Sequence, residues 1–370
     1  MIYSPASDEP EPECLDPDRG LVERRRNRDE EEYRVWCEST YGIVELGQEL
    51  FHPADVLDKM APNVARRGRD DAALQVRTDL EQTVCEQFPA PIAVPFYGFL
   101  EGPREPLIRL HRLRDTWESL VHLLAAITLS EAAGITTSLK PLVLRDGKDQ
   151  GWRQCKRRDL FSDKLSTRMA LIEGVLHRAA EVGVDLHVAA LLPMHVLGEV
   201  RRLNVVRNGF SHESTKSEAQ ATEIIEEAYP VFREVLLDLR DMRSIELVRL
   251  RSIQAGGKAE VERLNGHAQS RRISEVTLDS AAGLVALSAN QVDGMARVLA
   301  RVSGLTLDLS PFFYASDDDT GHRTRVLDFK CKKANEWHLE CVADSTTRAS
   351  PAALHEALLV RIENLLGQGA

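Results

Sequence analysis

The 370-residue sequence has few aromatic side chains and no excess of positive charge. Phe, Trp and Tyr make up 5% of the residues, whereas hydrophobic residues as a whole make up 43%. This composition favours a helical protein packed through Leu, Val and Ala over an aromatic-rich β-sandwich. The formal net charge of −11 excludes a general nucleic-acid coat, so any contact with nucleic acid would need a local basic patch.

The sequence also lacks the patterns of secreted and membrane proteins. The six cysteines show no framework of paired spacings, which is typical of reduced thiols in the cytoplasm. The N-terminus is acidic and proline-rich, where a signal peptide would be basic and then apolar. No apolar run reaches the roughly 20 residues that span a bilayer. We therefore expect a cytoplasmic protein with no membrane partner.

Several common cofactor and metal motifs are missing from the sequence. It has no Walker-type or dinucleotide-binding glycine pattern and no nucleophile elbow. His322, Cys331, His338 and Cys341 are zinc-ligand types but lack the close Cys pairs of structural sites, so Cys331 and Cys341 are interpreted as strand residues of a hairpin. The run of aspartates at 317–319 lacks EF-hand spacing and indicates a solvated turn. We expect no metal and no cofactor.

Shifts in composition divide the chain into four predicted segments. These are a disordered acidic tail (1–20), a helical N-terminal region with a Pro-rich extended connector (21–104), a helical bundle (105–252) and an α+β domain (255–370). The predicted fold class is mainly α, with an up-and-down four-helix bundle and a smaller C-terminal α+β domain.

Apolar periodicity supports this assignment. Apolar residues recur at three- and four-residue steps over 106–134, 163–182 and 217–245, which predicts long helices, and a further helix runs from Val196 towards Val206. Strands are predicted at 305–309, 325–329 and 337–342.

Arg207 and His212 carry the chemistry needed to cleave a phosphodiester without a metal. The guanidinium offers a rigid fork of donors to phosphate oxygens, and imidazole can exchange protons near neutral pH. On an ideal helix the two lie about 140° apart, so either the helix frays near Gly209 and Ser211, or two copies of the motif meet across a dimer axis. The alternative is that Arg207 caps a helix and His212 is a surface or hydrogen-bonded imidazole.

The arrangement of Arg207, Asn208 and His212 at the end of an apolar helix resembles the HEPN superfamily (higher eukaryotes and prokaryotes nucleotide-binding domain). That family combines an Arg, a following polar residue and a His four to six residues further on. The stretch RLHRLRDTWESLVHLLAAITLSE also resembles the family's first helix. The resemblance covers roughly 105–250.

The resemblance implies a metal-independent endoribonuclease whose site forms across a homodimer interface, acting in antiviral defence, abortive infection or as a toxin. His212 would be the general acid/base, Arg207 would stabilise the phosphate, and Asn208 would orient either the His or the phosphate. Glu118 on the first helix is a weaker supporting candidate. RNA would be the substrate, and a regulatory or antitoxin protein is a possible partner.

A second set of candidates consists of basic residues that could face RNA or else form a solvated loop and helix face. They are Arg153, Lys156, Arg157, Arg158, Arg201 and Arg202. Two further readings of the whole chain stay open: a non-catalytic interaction subunit of a defence complex, and a nucleotide-binding partner of a nucleotidyltransferase.

Overall fold

The computed structural model describes 17–135, 139–145, 151–162, 164–193, 196–203, 217–254, 258–268, 272–278, 291–321 and 323–366. The chain divides into two compact units, Met1–Glu81 and Gln82–Ala370. The first unit contains two long helices, a short hairpin and a short helix. These are α1 (Pro17–Tyr41), β1 (Val44–Leu46), β2 (Glu49–Phe51), α2 (Pro53–Met60) and most of α3 (Pro62–Gln87).

Aromatic and small side chains form the core of the first unit. Tyr33 and Cys37 on α1 are buried against small residues of α2 and α3, and Trp36 packs on the same cluster. Arg69 lies over the Tyr33 ring, 4.2 Å from its centroid, and its guanidinium binds Asp58 at 2.9 Å. The charge-rich α1 is thus anchored through one apolar stripe.

The second unit begins with the end of α3 and contains most of the helices and the large sheet. Its helices are α4 (Ala90–Glu101), α5 (Pro106–Ile135), α6 (Arg157–Leu160), α7 (Leu165–Val182), α8 (His187–Leu191), α9 (196–203), α10 (Glu218–Asp238) and α11 (Ala352–Glu363). A short 3-10 helix covers Arg240–Ser244. The helices predicted from periodicity at 106–134 and 163–182 are confirmed as α5 and α7, and the one predicted over 217–245 is confirmed as α10 with the 3-10 turn after it.

Helix α5 is the core of this unit. It packs against α4, α7, α8, α10 and α11 and also contacts the sheet. By length and composition it could cross a membrane, but 83% of its most apolar window is buried. The apolar stripe that predicted it, from Leu110 through Trp117 to Ile127, is buried throughout. The most apolar part of α5 is therefore a core helix of this unit, whereas its N-terminal half has exposed positions such as His111.

The Pro-rich stretch at 88–104 is not the extended connector that we predicted, because it contains α4. Pro89 precedes the first helical residue, and Pro91 lies in the first turn, where a missing N–H removes no helical hydrogen bond. Only Pro95 is inside the helix. Burial of Ile92, Phe96 and neighbouring side chains offsets that one lost bond.

Among the residues that the structure describes, the sheet of the second unit has ten antiparallel strands. They are β5 (Glu246–Ile253), β6 (Lys258–Arg263), β7 (Ile273–Thr277), β8 (Gln291–Val292), β9 (Met295–Val302), β10 (Leu305–Asp308), β11 (Phe313–Asp317), β12 (Thr324–Lys333), β13 (Glu336–Cys341) and β14 (Thr347–Pro351). Their order is β14-β13-β12-β11-β9-β5-β6-β7, and β8 and β10 also pair with β9. A separate hairpin joins β3 (Val143–Arg145) and β4 (Trp152–Gln154).

The predicted fold class, a mainly α four-helix bundle with a smaller α+β domain, is wrong. The chain is a mixed protein in which a ten-stranded antiparallel sheet fills the C-terminal half. Two central strands, β5 and β9, were not predicted from the sequence. Four consecutive residues of β5 and six of β9 are buried. Such runs do not alternate between apolar and polar residues, and Met295, Val298, Leu299 and Val302 of β9 recur at the spacing of a helix.

Three strands that did show a pattern were predicted correctly. The stretches at 305–309, 325–329 and 337–342 correspond to β10, β12 and β13. Cys331 and Cys341 lie on the β12–β13 hairpin, as predicted.

Candidate functional site

The Arg207–His212 motif lies outside the described residues, so the structure places only the helices on either side of it. Helix α9, which leads towards the motif, buries Val196, Val200 and Leu203. Helix α10 begins after a capping box, in which the Ser217 side chain accepts a hydrogen bond from Gln220 N at 3.2 Å and the Gln220 side chain accepts one from Ser217 N at 3.0 Å. In the sequence, Arg207, Asn208 and His212 therefore lie between a helix with a buried apolar face and a helix with a capped start.

Two of the basic RNA-binding candidates link separate elements of the fold. Arg153 binds Asp159 through both guanidinium nitrogens, at 2.7 and 3.0 Å. Burial alone would raise the pKa of Asp159, but hydrogen bonds from Arg153 and from the Lys156 backbone outweigh it and the pKa is lowered. Arg157 binds Glu363 of α11 at 2.6 Å.

The candidates on α9 are also engaged. Arg201 forms an ion pair with Glu173 of α7, and Arg202 lies 3.4 Å from Glu199 on its own helix. Burial is the main cause that raises the pKa of Glu173, against the lowering effect of Arg201. Lys156 and Arg158 are exposed. Four of the six basic candidates therefore have carboxylate partners, and their contact with RNA stays a prediction.

Glu118, the supporting candidate on α5, lies in a group of charged side chains between this helix and the sheet. Its carboxylate is 3.9 Å from Arg114 of the same helix and 3.9 Å from Lys330 of β12. We refer to this group as the α5–sheet charge cluster; it consists of Arg114, Asp115, Glu118, His122, Asp328, Lys330 and Glu340.

A hydrogen bond of 2.5 Å between His122 Nδ1 and Asp328 Oδ2 forms the buried end of the charge cluster. Both residues are almost fully buried, at 6% and 2% exposure. At the more open end, Lys330 Nζ lies 3.7 Å from Glu340. Lys330 is the extra residue of a β-bulge, because Phe329 and Cys331 both pair with β13 while Lys330 has no register partner there.

The carboxylates of the charge cluster keep Lys330 protonated. Burial alone would lower the pKa of Lys330, but the nearby Asp328, Glu340 and Glu118 outweigh it and the pKa is raised. The pKa of Glu340 is also raised, chiefly by burial and then by the neighbouring carboxylates, against the effect of Lys330. Because the His122–Asp328 pair is almost fully buried between α5 and β12, we assign the cluster to the joining of helix and sheet.

The residues that α5 contributes to the charge cluster could be recognised from the sequence, but their partners on the sheet could not. Asp115, Glu118 and His122 lie at positions i, i+3 and i+7 of α5, which places them on one face. A polar stripe on a buried helix needs partners. Nothing in the sequence, however, identified Asp328 and Lys330, about 200 residues further along, as those partners.

A second buried polar group joins α11 to the sheet. Tyr314 Oη is 2.8 Å from His355 Nδ1, and His355 Nε2 is 2.8 Å from Ser350 Oγ. Trp337 stacks on the imidazole at 5.3 Å between ring centroids. A neutral imidazole satisfies both contacts, since one nitrogen donates and the other accepts. Burial lowers the pKa of His355 from 6.5 to about 4.

This lowered pKa makes the fold sensitive to acid. The unfolded chain binds a proton at His355 below pH 6.5, whereas the folded chain resists it until about pH 4, so stability falls as pH falls through this window. The loss is about 3 kcal/mol. We expect His355→Gln to flatten the dependence measured by urea unfolding between pH 4 and 6.5, whereas His111→Gln, at an exposed position on α5, should not. Equal pH dependence in the wild type and His355→Gln would contradict this assignment.

Comparison with known proteins gives no relative for this chain: no family model, no curated protein and no solved structure matches it.

Proposed function

We propose that this chain is a metal-independent endoribonuclease of the HEPN type, in which His212 acts as general acid/base and Arg207 stabilises the phosphate. The observation that carries the proposal is the sequence Arg207-Asn208 followed by His212, directly after the stretch 196–206 with its recurring apolar residues. The buried side chains of α9 and the capped start of α10 support it, because they hold both ends of the segment. The proposal depends on this motif and not on a four-helix bundle.

The chemistry follows from the two side chains. Imidazole at neutral pH can take the proton of a 2′-hydroxyl, and the guanidinium can stabilise the negative charge that develops on the phosphate. Attack by the 2′-hydroxyl expels the 5′-oxygen of the next nucleotide and leaves a 2′,3′-cyclic phosphate. Asn208 would orient the imidazole or the phosphate. Since an ideal helix separates Arg207 from His212, we propose a composite site across a homodimer.

Cleavage of RNA in the presence of EDTA tests this proposal. The wild-type protein should cut total cellular RNA and leave 2′,3′-cyclic phosphate ends. His212→Ala should slow cleavage by about a hundredfold or more, with an unchanged circular dichroism spectrum and oligomeric state. His111→Ala removes an exposed histidine from α5 and should cleave like the wild type.

Arg207→Lys separates charge from geometry at the same site. It keeps the positive charge but loses the planar fork, so cleavage should fall without abolishing RNA binding. If His212→Ala and Arg207→Lys both cleave at the wild-type rate, the motif is not the active site. The biological setting that we propose is the cytoplasm, as a toxin or antiviral effector restrained by a partner protein.

One observation favours a non-catalytic interaction subunit as the second candidate. Arg153, Arg157, Arg201 and Arg202 bind carboxylates of this same chain, which leaves less positive charge for RNA. In that case the wild type cleaves no RNA, and His212→Ala either changes the oligomeric state of the protein or has no effect. Light scattering of both proteins beside the RNA assay distinguishes the two functions.

A further inference from the structure

A cavity of about 370 Å³ lies at the C-terminal end of α3, in the second unit. Its walls come from the last residues of that helix, from 265–268 after β6, and from Arg263 and Arg272. The volume falls within the range of small-molecule sites, about 300–1,000 Å³.

Asn265 fixes one wall of the cavity. Its side-chain amide donates hydrogen bonds to the carbonyl oxygens of Gln87 and Ile245, both at 2.8 Å, and its Oδ1 accepts one from Leu247 N at 2.9 Å. Three segments of the chain are thereby joined at one side chain. This wall is held in place by the protein without any ligand.

The end of α3 is closed by the two residues that follow Asn265. Gly266 N donates to Phe88 O at 2.8 Å, and His267 donates to Cys85 O from its backbone N at 2.7 Å and from its ring Nδ1 at 2.9 Å. A Cβ on Gly266 would lie 2.7 Å from the Glu86 carbonyl oxygen, so this close approach requires glycine. The carbonyl oxygens of Cys85, Gln87 and Phe88 near the cavity thus already accept hydrogen bonds.

The cavity is electropositive within an acidic chain. Arg263 and Arg272 are neighbours, since Arg263 N donates to Arg272 O at 3.0 Å. Neither forms an ion pair among the residues that the structure describes, and Arg263 Nε is buried without a hydrogen-bond partner among them. Glu86 is the carboxylate in the lining, and it is bonded to Gln82 at 3.0 Å.

We propose that this cavity binds a small phosphate-bearing molecule of about mononucleotide size, held by Arg263 and Arg272. Two arginines that line one cavity suit a group with more than two acceptor oxygens, which a phosphate has and a carboxylate lacks. The buried Nε of Arg263 would gain the partner that it lacks. This site is separate from the Arg207–His212 motif and does not depend on ribonuclease activity.

Isothermal titration of the full chain with three probes tests the site. Inorganic phosphate and adenosine 5′-monophosphate should bind saturably, and adenosine, which lacks the phosphate, should not. Arg263→Gln and Arg272→Gln should each weaken binding by about tenfold or more. Lys258→Gln removes the same charge from an exposed position of β6 and should bind like the wild type.

The result is independent of the ribonuclease proposal, because His212→Ala should bind both phosphate probes with unchanged affinity. The proposal is overturned if neither phosphate probe binds up to about 10 mM, or if adenosine binds as tightly as its monophosphate. It is also overturned if Lys258→Gln weakens binding as much as the arginine variants do. Thermal melting of each variant shows whether it is folded. Because Arg272 is exposed, Arg272→Gln should disturb the fold less than Arg263→Gln.

Discussion

Replacing Gly174 with alanine should lower the free energy of unfolding by about 3 kcal/mol or more. Gly174 lies in the middle of α7 where this helix meets β3. A Cβ at this position would overlap the carbonyl oxygen of Val143 and lie 2.9 Å from its carbonyl carbon. The obstructing atoms belong to the backbone, so no change of rotamer can relieve the overlap and α7 must move away from the hairpin.

The matched control is Gly198→Ala on α9. Gly198 is also in a helix but is exposed, and a Cβ there would meet nothing within 4 Å. Alanine should therefore stabilise the protein, by up to about 1 kcal/mol, through its higher helix propensity. Thermal unfolding followed by circular dichroism measures both variants. A Gly174→Ala protein that melts at the wild-type temperature would show that α7 does not approach β3 as closely as described.

Removing the carboxylate of Asp328 should cost about 3–5 kcal/mol. Asp328→Ala leaves the His122 imidazole buried without its hydrogen-bond partner, and it removes one of the charges that stabilise protonated Lys330. The loss combines an unsatisfied polar group with a cavity, in a place that water cannot fill from outside. Urea unfolding followed by tryptophan fluorescence, with Trp117 on α5 and Trp337 on β13 as reporters, measures the effect.

Asp319→Ala is the control for this substitution. It removes the same carboxylate from a side chain that is 93% exposed and lies 3.7 Å from its partner Arg325. Because an exposed ion pair contributes little to stability, the unfolding midpoint should not change. A double-mutant cycle with His122→Ala isolates the pair, and we expect a coupling of about 1–3 kcal/mol. Additive effects of the two single substitutions would mean that the 2.5 Å contact does not contribute to stability.

The sequence predicted the helices well because their signal is local. The stripes along α5, α7 and α10 repeat at helical spacing, and the residues that form them are buried. Helix α4 was not predicted, because five prolines between 88 and 106 indicated an extended chain. Proline counts do not show which turn of a helix each proline occupies, and here Pro89 and Pro91 take positions that a helix tolerates.

The sheet was underestimated for a different physical reason. Strands covered on both faces, such as β5 and β9, bury charged residues such as Arg249 and Arg297 beside apolar ones, so their sequences do not alternate between apolar and polar residues. The candidate site was found by its chemistry alone, since Arg207 and His212 are recognised by type and spacing. The α5–sheet charge cluster could be only half predicted, because the partner of His122 is 206 residues away in sequence.

That separation has a consequence for how the protein is made. A ribosome adds about 5–20 residues per second, so Asp328 is synthesised about 10 to 40 s after His122 has left the peptidyl transferase centre. During this interval α5, one of the most apolar helices of the chain, has no sheet to cover it. We expect newly made chains to need a chaperone that binds apolar helices, and their yield to rise when such a chaperone is supplied in excess.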